Sequence, residues 1–238
     1  MRQRADYLAA LGLTDWRQRR PLAVQPQVQS GLPALRSAPA VEVEPASTAV
    51  LDDTWDAVAA EVAGCTRCEL HQCRTNTVFG VGDRAANWLV VGEAPGADED
   101  RQGEPFVGRA GQLLNAMLLG IGLSRDEVYI ANVLKCRPPN NRDPAASEVA
   151  QCLPYLERQI ALLKPRIMLA VGRIAAQNLL ATDTPIGKLR GRVHAFGVQK
   201  IPLVVTYHPA YLLRSPTEKR KAWEDLKFAR RVASGSLQ

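Results

Sequence analysis

Short apolar runs that end in glycine or polar residues recur along the chain from residue 88 onward. Each run is four to seven residues long and rich in Val, Ile and Leu, a pattern typical of strands buried in a sheet. Most of these runs are followed by a segment with helical spacing. The runs predict strands at residues 88–91, 127–133, 166–171, 192–196 and 201–205.

The segments between these strands predict helices. Apolar positions recur with helical spacing in four places, and Asp52 or Asp53 and Ser147 are candidate N-caps. Strands that alternate with helices indicate an α/β fold with a largely parallel sheet covered on both faces. The predicted helices are 51–62, a helix starting at 110, a long helix from 147 through 163, and a basic amphipathic helix at 216–232.

The N-terminal part differs in composition. Residues 1–20 combine a short amphipathic pattern with Trp16 and a cluster of arginines, which predicts a partner-docking peptide. Residues 21–47 are rich in Pro, Ala, Val, Gln and Ser without a period, which predicts a flexible linker. The main domain is expected to run from residue 48 to 238.

Composition and charge limit the class of protein. The net charge of +6 and the sequence pI of about 9.2 favour an anionic partner, and nucleic acid is the first candidate. No apolar run approaches bilayer length, and the N-terminus lacks the apolar core of a signal peptide. We therefore expect a cytoplasmic protein with no membrane partner.

Four of the five cysteines suggest a metal site. Cys65 and Cys68 form a C-x-x-C pair, Cys136 follows a predicted strand, and Cys152 lies on the next helix. Four thiolates bind tetrahedral zinc or a [4Fe–4S] cluster, and the spacing alone also allows four unrelated buried thiols. One C-x-x-C pair with two distant cysteines differs from a zinc ribbon and favours the iron–sulfur cluster. Cys73 is not expected to be a ligand.

Polar residues follow the predicted strands at the points where the strands end. Glu93, Asn132 and His208 lie just past three strand ends, and Phe106 lies on the long loop after the first strand. The carboxyl ends of parallel strands meet at one edge of a sheet, where α/β proteins build ligand sites. An aromatic face, an amide and an imidazole can together hold a planar heterocycle. Each residue alone has an ordinary structural explanation, and their shared placement carries the prediction.

Three motifs carry a family resemblance. The segments GEAPGADEDRQGEPFVGRAGQLLN, NVLKCRPPNNR and HPAYLLR, together with the four cysteines, resemble the family 4 uracil-DNA glycosylases, the iron–sulfur branch of that superfamily. The resemblance spans residues 65–231. It implies a three-layer α/β/α sandwich around a four-stranded, mainly parallel sheet, a [4Fe–4S] cluster, and removal of uracil from single- and double-stranded DNA.

The resemblance also implies roles for individual residues. Phe106 is expected to stack on the flipped uracil, Asn132 to bind its Watson–Crick edge, and His208 to face its O2 side. The backbone of Gly92, Glu93 and Ala94 is expected to help hold the base. The cluster ligands are implied to be Cys65, Cys68, Cys136 and Cys152.

The expected chemistry is hydrolysis of an N-glycosidic bond. Uracil leaves as an anion, and a donor at its oxygen stabilises the charge as it develops, which makes His208 the candidate catalytic residue. The family 1 branch carries a water-positioning Asp where this chain has Ala94. Water activation is therefore expected from Glu99 or Asn141.

Basic residues near the same motifs are expected to contact the DNA backbone. Lys135, Arg137, Arg142 and Arg214 are the candidates for phosphate contacts. One of the apolar side chains in the stretch 211–213, Tyr211, Leu212 or Leu213, is a candidate wedge for the space left by the flipped base.

The first 20 residues resemble the N-terminus of the psi subunit of the bacterial DNA polymerase III clamp-loader assembly, a peptide that docks on the chi subunit. The resemblance implies a glycosylase tethered to the replication machinery through its linker. The alternative function is a catalytically silent glycosylase-like protein that binds DNA and the chi subunit.

Overall fold

The computed structural model of the chain describes residues 54–235. The predicted docking peptide 1–20, the linker 21–47 and the domain boundary near residue 48 lie outside these residues. Within 54–235, no helix has both the length and the apolar composition needed to cross a bilayer.

A six-stranded mixed sheet forms the centre of the domain, in the order β1-β3-β2-β4-β6-β5. The four inner strands are parallel, and a short antiparallel strand is added at each edge. The predicted α/β class is confirmed, whereas the strand count is six instead of four because of the two edge strands. The strands are β1 (Val81–Gly82), β2 (Trp88–Gly92), β3 (Tyr129–Asn132), β4 (Ile167–Val171), β5 (Val193–Phe196) and β6 (Ile201–Thr206).

Helices cover both faces of the sheet. The α-helices are α1 (Trp55–Ala63), α2 (Ala97–Gln102), α3 (Arg109–Gly120), α4 (Ala146–Leu163), α5 (Arg173–Leu179), α6 (Ile186–Leu189), α7 (Pro209–Arg214) and α8 (Lys219–Ala233). Short 3₁₀ turns add Glu69–Gln72, Arg125–Glu127, Pro139–Asn141 and Pro216–Glu218.

The hydrophobic core is divided into two layers by the sheet. On β2, Leu89 and Val91 pack with α1, α4, α5 and α6, whereas Trp88 and Val90 pack with α3, α7 and α8. Alternate side chains of a strand point to opposite faces, so one fully buried strand contributes to both layers. This alternation produces the three layers of the fold.

Several helix ends differ from the predictions. Thr54, rather than Asp52 or Asp53, caps α1, because its Oγ1 accepts a hydrogen bond from Ala57 N at 3.2 Å. Ser147 lies inside the first turn of α4 and is not its N-cap. The acidic stretch predicted as a loop after β2 forms helix α2, whose first turn carries three acids that favour the positive end of the helix dipole.

Candidate active site and cysteine cavity

A pocket of about 410 Å³ opens at the carboxyl ends of the parallel strands. Its walls are the turn after β2, the loop carrying Phe106, the end of β3 with the loop behind it, and the start of α7. Strand β2 lies between β3 and β4 in the sheet. The connection from β2 to β3 and the connection from β3 to β4 therefore run in opposite directions along the sheet. Ligand sites of open α/β sheets lie at such a switch point.

Phe106 forms one wall and has an unusual backbone conformation. Its φ angle is +56°, and its side chain is buried. The ring lies directly over Gly92, where an added Cβ would be 2.7 Å from Phe106 Cζ. Beneath the loop, a Cβ on Gly111 would lie 1.7 Å from Phe106 O. Both glycines are therefore required for this loop to reach the pocket.

Glu99 holds the same loop. Its Oε1 accepts hydrogen bonds from Val107 N at 3.1 Å and Gly108 N at 3.3 Å, and its Oε2 accepts from Gly96 N at 3.2 Å. The carboxylate thus joins the turn after β2 to the Phe106 loop. Three of its lone-pair positions are occupied, so positioning of the loop accounts for Glu99 better than water activation does.

Arg125 supports the loop from behind and was not found from the sequence. Its Nη2 donates to Pro105 O at 2.6 Å, and its Nη1 donates to Phe106 O at 3.4 Å and to Asn115 Oδ1 at 3.3 Å. Burial lowers the pKa of this guanidinium. No local sequence signal distinguishes an arginine that binds carbonyls from one on the surface.

Asn132 is the last residue of β3 and pairs in register with Gly92. Its side chain is 2% exposed, and its Oδ1 has no hydrogen-bond partner within residues 54–235. A buried acceptor without a partner costs about 1–3 kcal/mol. Asn132 lines the pocket, so a ligand whose N–H group reaches this oxygen would satisfy it.

His208 lies across the pocket and begins α7. Its Nδ1 accepts a hydrogen bond from Ala210 N at 3.1 Å, so the neutral ring carries its proton on Nε2. Burial lowers the pKa of His208 to about 4, helped by Arg214 and opposed by Glu99. The ring centroid is 5.6 Å from that of Phe106, with 30° between the planes. At neutral pH, His208 is therefore an uncharged hydrogen-bond donor.

Glu93 adds a carboxyl group to the pocket wall. Burial and the nearby Asp143 raise its pKa to about 7, and Arg173 opposes the shift. Near neutral pH, this group is therefore divided between its acid and base forms. Ala94 beside it also lines the pocket.

Asn141 lies at the pocket mouth with a φ angle of +54°. Its Oδ1 accepts a hydrogen bond from Arg137 Nε at 2.8 Å, which joins two of the predicted residues. Arg142 forms a bidentate ion pair with Glu148, at 2.8 and 2.5 Å. Arg214 lines the mouth and is exposed, and it has no ion-pair partner in the part of the chain described here.

Lys135 was predicted to grip DNA, and this prediction is wrong. Its side chain is 1% exposed. Its Nζ donates to Gln159 Oε1 at 2.6 Å, to Asn132 O at 2.9 Å and to Phe79 O at 3.2 Å. Burial lowers the pKa of Lys135 to about 8. All three ammonium protons are used inside the protein, so none reaches a phosphate.

The three candidate wedge residues have different positions. Leu212 is 1% exposed and belongs to the core layer beneath α7, so it is not available as a wedge. Leu213 and Tyr211 are exposed, and the Tyr211 ring centroid is 5.1 Å from that of Tyr207. Leu213 is the aliphatic candidate that remains.

The four predicted metal ligands line one second cavity. Cys65 and Cys68 follow α1, Cys136 lies in the loop after β3, and Cys152 lies on α4. Burial raises the pKa of Cys152 to about 11. Cys73 is exposed and does not line this cavity.

Hydrogen-bond donors face two of these sulfur atoms. Arg74 Nη1 donates to Cys136 Sγ at 3.1 Å, and Lys135 N donates to Cys152 Sγ at 3.2 Å. Across residues 54–235, no three His, Cys, Asp or Glu side chains are grouped closely enough to hold a single metal ion. The four thiols therefore share a cavity without converging on one point.

Comparison with known proteins gives a consistent result. The family model of the "Uracil DNA glycosylase superfamily" matches residues 79–227. A "Type-4 uracil-DNA glycosylase" of Archaeoglobus fulgidus is 46% identical over 182 residues, covering 74% of this chain and 91% of the relative. Proteins of the same name from Sulfurisphaera tokodaii and Thermotoga maritima are 43% and 40% identical, covering 76% and 75% of this chain and 86% and 94% of theirs. The chain belongs to the uracil-DNA glycosylase superfamily and, within it, to the type-4 uracil-DNA glycosylases.

Proposed function

We propose that this protein hydrolyses the N-glycosidic bond of uracil in DNA, the first step of base excision repair. The observation that carries the proposal is the buried Oδ1 of Asn132, which has no hydrogen-bond partner within residues 54–235. Asn132 lines one pocket together with Phe106 and His208. An acceptor held in this way suits the N3–H of a uracil that has left the helix.

The pocket offers a physical basis for choosing uracil over cytosine. Uracil presents a donor at N3 and an acceptor at O4, whereas cytosine presents an acceptor at N3 and a donor at N4. The Asn132 amide matches the first pattern when Oδ1 accepts from N3–H and Nδ2 donates to O4. Cytosine would leave the buried Oδ1 facing another acceptor, a mismatch that a polar site rejects strongly.

His208 is the proposed stabiliser of the leaving uracil. Its Nε2–H donates to the uracil O2, where negative charge grows as the glycosidic bond breaks. Because its pKa is near 4, the imidazole remains neutral and acts as a donor rather than transferring a full proton. Phe106 supplies the stacking face for the extruded ring.

Water activation is the second part of the proposed chemistry. Asn141 lies at the pocket mouth and is proposed to position the water. Glu93, with a pKa of about 7, is suited to accept a proton from it. Glu99 is assigned to the Phe106 loop instead.

The cysteine cavity is proposed to hold a [4Fe–4S] cluster bound by Cys65, Cys68, Cys136 and Cys152. A single zinc ion needs every sulfur about 2.3 Å from one point, whereas a cluster binds its thiolates at separate iron atoms. The separated thiols in one cavity support the cluster. When bound, it would tie the segment after α1, the loop after β3 and α4 together as a structural element. Iron and sulfide analysis of the purified protein tests this, and one zinc ion per chain would contradict it.

DNA is proposed to bind across the mouth of the pocket. Extruding a base costs about a few kcal/mol. Arg214 is proposed to contact a flanking phosphate, and Leu213 to occupy the vacated space. Arg137 and Arg142 lie beside the mouth, but their guanidinium groups already bind Asn141 and Glu148.

The experiment is a uracil-release assay on single-stranded and duplex oligonucleotides. Wild-type protein should release uracil, and Asn132→Ala and His208→Ala should each reduce the rate by about 100-fold. The matched control is Asn87→Ala, an exposed asparagine before the amino end of β2. No release by iron-loaded wild-type protein would refute the enzyme and favour the silent DNA-binding alternative.

Docking of residues 1–20 on the clamp-loader chi subunit is proposed on the psi resemblance alone. Trp16→Ala should abolish chi binding and leave uracil release unchanged. Equal chi binding by both proteins would remove this proposal without affecting the glycosylase assignment.

A further inference from the structure

Lys135 connects the two cavities of the protein. Its main-chain N–H donates to Cys152 Sγ at 3.2 Å, and its Nζ donates to the main-chain oxygen of Asn132 at 2.9 Å. The third contact, from Nζ to Gln159 Oε1, is 2.6 Å long. A fully buried lysine with this arrangement is not explained by the pocket or by the cysteine cavity alone.

Two of these contacts anchor Lys135 to one helix. Cys152 and Gln159 are seven residues apart on α4, so they lie on the same face about two turns from each other. Lys135 reaches the first with its backbone and the second with its side chain. Gln159 is itself fixed, because its Nε2 donates to Phe79 O at 3.0 Å and Tyr129 OH at 3.2 Å. The ammonium group is therefore held by a rigid environment.

The contact with Asn132 fixes one peptide plane. At one end of the peptide that follows Asn132, the carbonyl oxygen accepts from Lys135 Nζ. At the other end, Val133 N donates to Gly92 O at 3.0 Å. A peptide plane bonded at both ends is held in place, so the backbone that carries the Asn132 side chain is fixed at its carbonyl end.

We propose that Lys135 is a positioning residue for base recognition, which fixes the backbone from which the Asn132 amide reaches uracil. This inference rests on the proposed uracil-DNA glycosylase function. It assigns Lys135 no contact with DNA, substrate or water.

The test compares Lys135→Met with wild type and with Lys188→Met, an exposed lysine on α6. Methionine keeps the length and apolar volume of the lysine side chain and removes its donors. The backbone donor to Cys152 Sγ is unchanged, so iron content should be unchanged. Free uracil should bind about 10-fold more weakly, and the single-turnover excision rate should fall by about 100-fold.

Two further measurements separate this role from others. The slope of DNA affinity against salt concentration should be the same in Lys135→Met and wild type. Replacing a lysine that binds a phosphate would lower that slope by about 1. The ratio of uracil to cytosine excision should fall, because a loosened amide no longer excludes the cytosine edge. A lower salt slope, or uracil binding equal to that of wild type, would overturn the proposal.

Gln159→Leu covers the case in which Lys135→Met does not fold. It removes the shortest contact of Nζ and leaves Lys135 in place. Folded, iron-loaded Gln159→Leu protein should bind free uracil more weakly than wild type, and equal affinity would contradict the inference. Absence of uracil binding and release in wild type would instead refute the proposed function.

Discussion

Gly92 is a position where a single added methyl group should disturb the pocket. In Gly92→Ala, the new Cβ would lie 2.3 Å from Asn132 Oδ1 and 2.7 Å from Phe106 Cζ. The backbone cannot retreat, because β2 is paired with β3 on one side and β4 on the other. The side chains that bind the base must therefore move.

The size of the movement follows from these distances. An ordinary carbon contact begins near 3.4 Å, so Asn132 Oδ1 must shift by about 1.1 Å and the Phe106 ring by about 0.7 Å. A misplacement of about 1 Å in an active site costs about 100-fold in rate. Overpacking should also lower the free energy of unfolding by about 1–3 kcal/mol.

Single-turnover uracil release and thermal unfolding measure the two effects. The matched control is Gly187→Ala on α6, where an added Cβ meets no atom within 4 Å and the backbone needs no positive φ angle. Gly187→Ala should behave as wild type. Excision by Gly92→Ala within about threefold of wild type would refute the packing of Phe106 and Asn132 over this glycine.

Three other substitutions probe different parts of the protein. The pKa of Glu93 is raised to about 7, so the cost of burying its charge is absent below the ordinary value of 4.5, grows between pH 4.5 and 7, and is complete above 7. Glu93→Gln should therefore raise the melting temperature relative to wild type near pH 9 but not near pH 4, and equal differences at both would exclude the shift. Leu213→Ala should slow uracil excision from duplex DNA and leave excision from single-stranded DNA and protein stability unchanged, and an unchanged duplex rate would remove the wedge role. The buried neighbour gives the contrast, because Leu212→Ala should lower the free energy of unfolding by about 2–5 kcal/mol. Arg125→Met should loosen the Phe106 loop and weaken the binding of free uracil, measured by calorimetry, without changing the salt dependence of DNA binding. Unchanged uracil affinity would show that the loop keeps its conformation without Arg125.

The sequence alone was sufficient to predict where the strands end and that a pocket forms at those ends. Val, Ile and Leu runs that stop at Gly or polar residues located β2, β3, β4 and β6, and parallel strands bring their carboxyl ends to one edge. Glu93, Asn132 and His208 followed from this rule. The exact position of the Phe106 ring could be read only from the structure, because it depends on the contacts with Gly92 and Gly111 across the loop.

What the sequence did not show concerns the partners of charged side chains. Lys135 was expected on the surface because lysine is rarely buried, and its three acceptors come from residues 79, 132 and 159, which no local pattern joins. Glu99 lines the pocket, and the sequence did not show that its carboxylate accepts hydrogen bonds from backbone N–H groups of the Phe106 loop. Local sequence shows the charge of a residue, whereas its partners depend on the tertiary fold.

The cysteine cavity has a consequence for how the protein matures. Cys65 and Cys152 are 87 positions apart in the chain, and strands β1, β2 and β3 and helices α2 and α3 lie between them. The four thiols can meet only after α4 has been synthesised and has docked on the sheet, because contacts of such long sequence separation form late in folding. Assembly of an inorganic cofactor at this place would therefore require α1, β3 and α4 to be in place, whereas β4, β5 and β6 follow Cys152 in the chain.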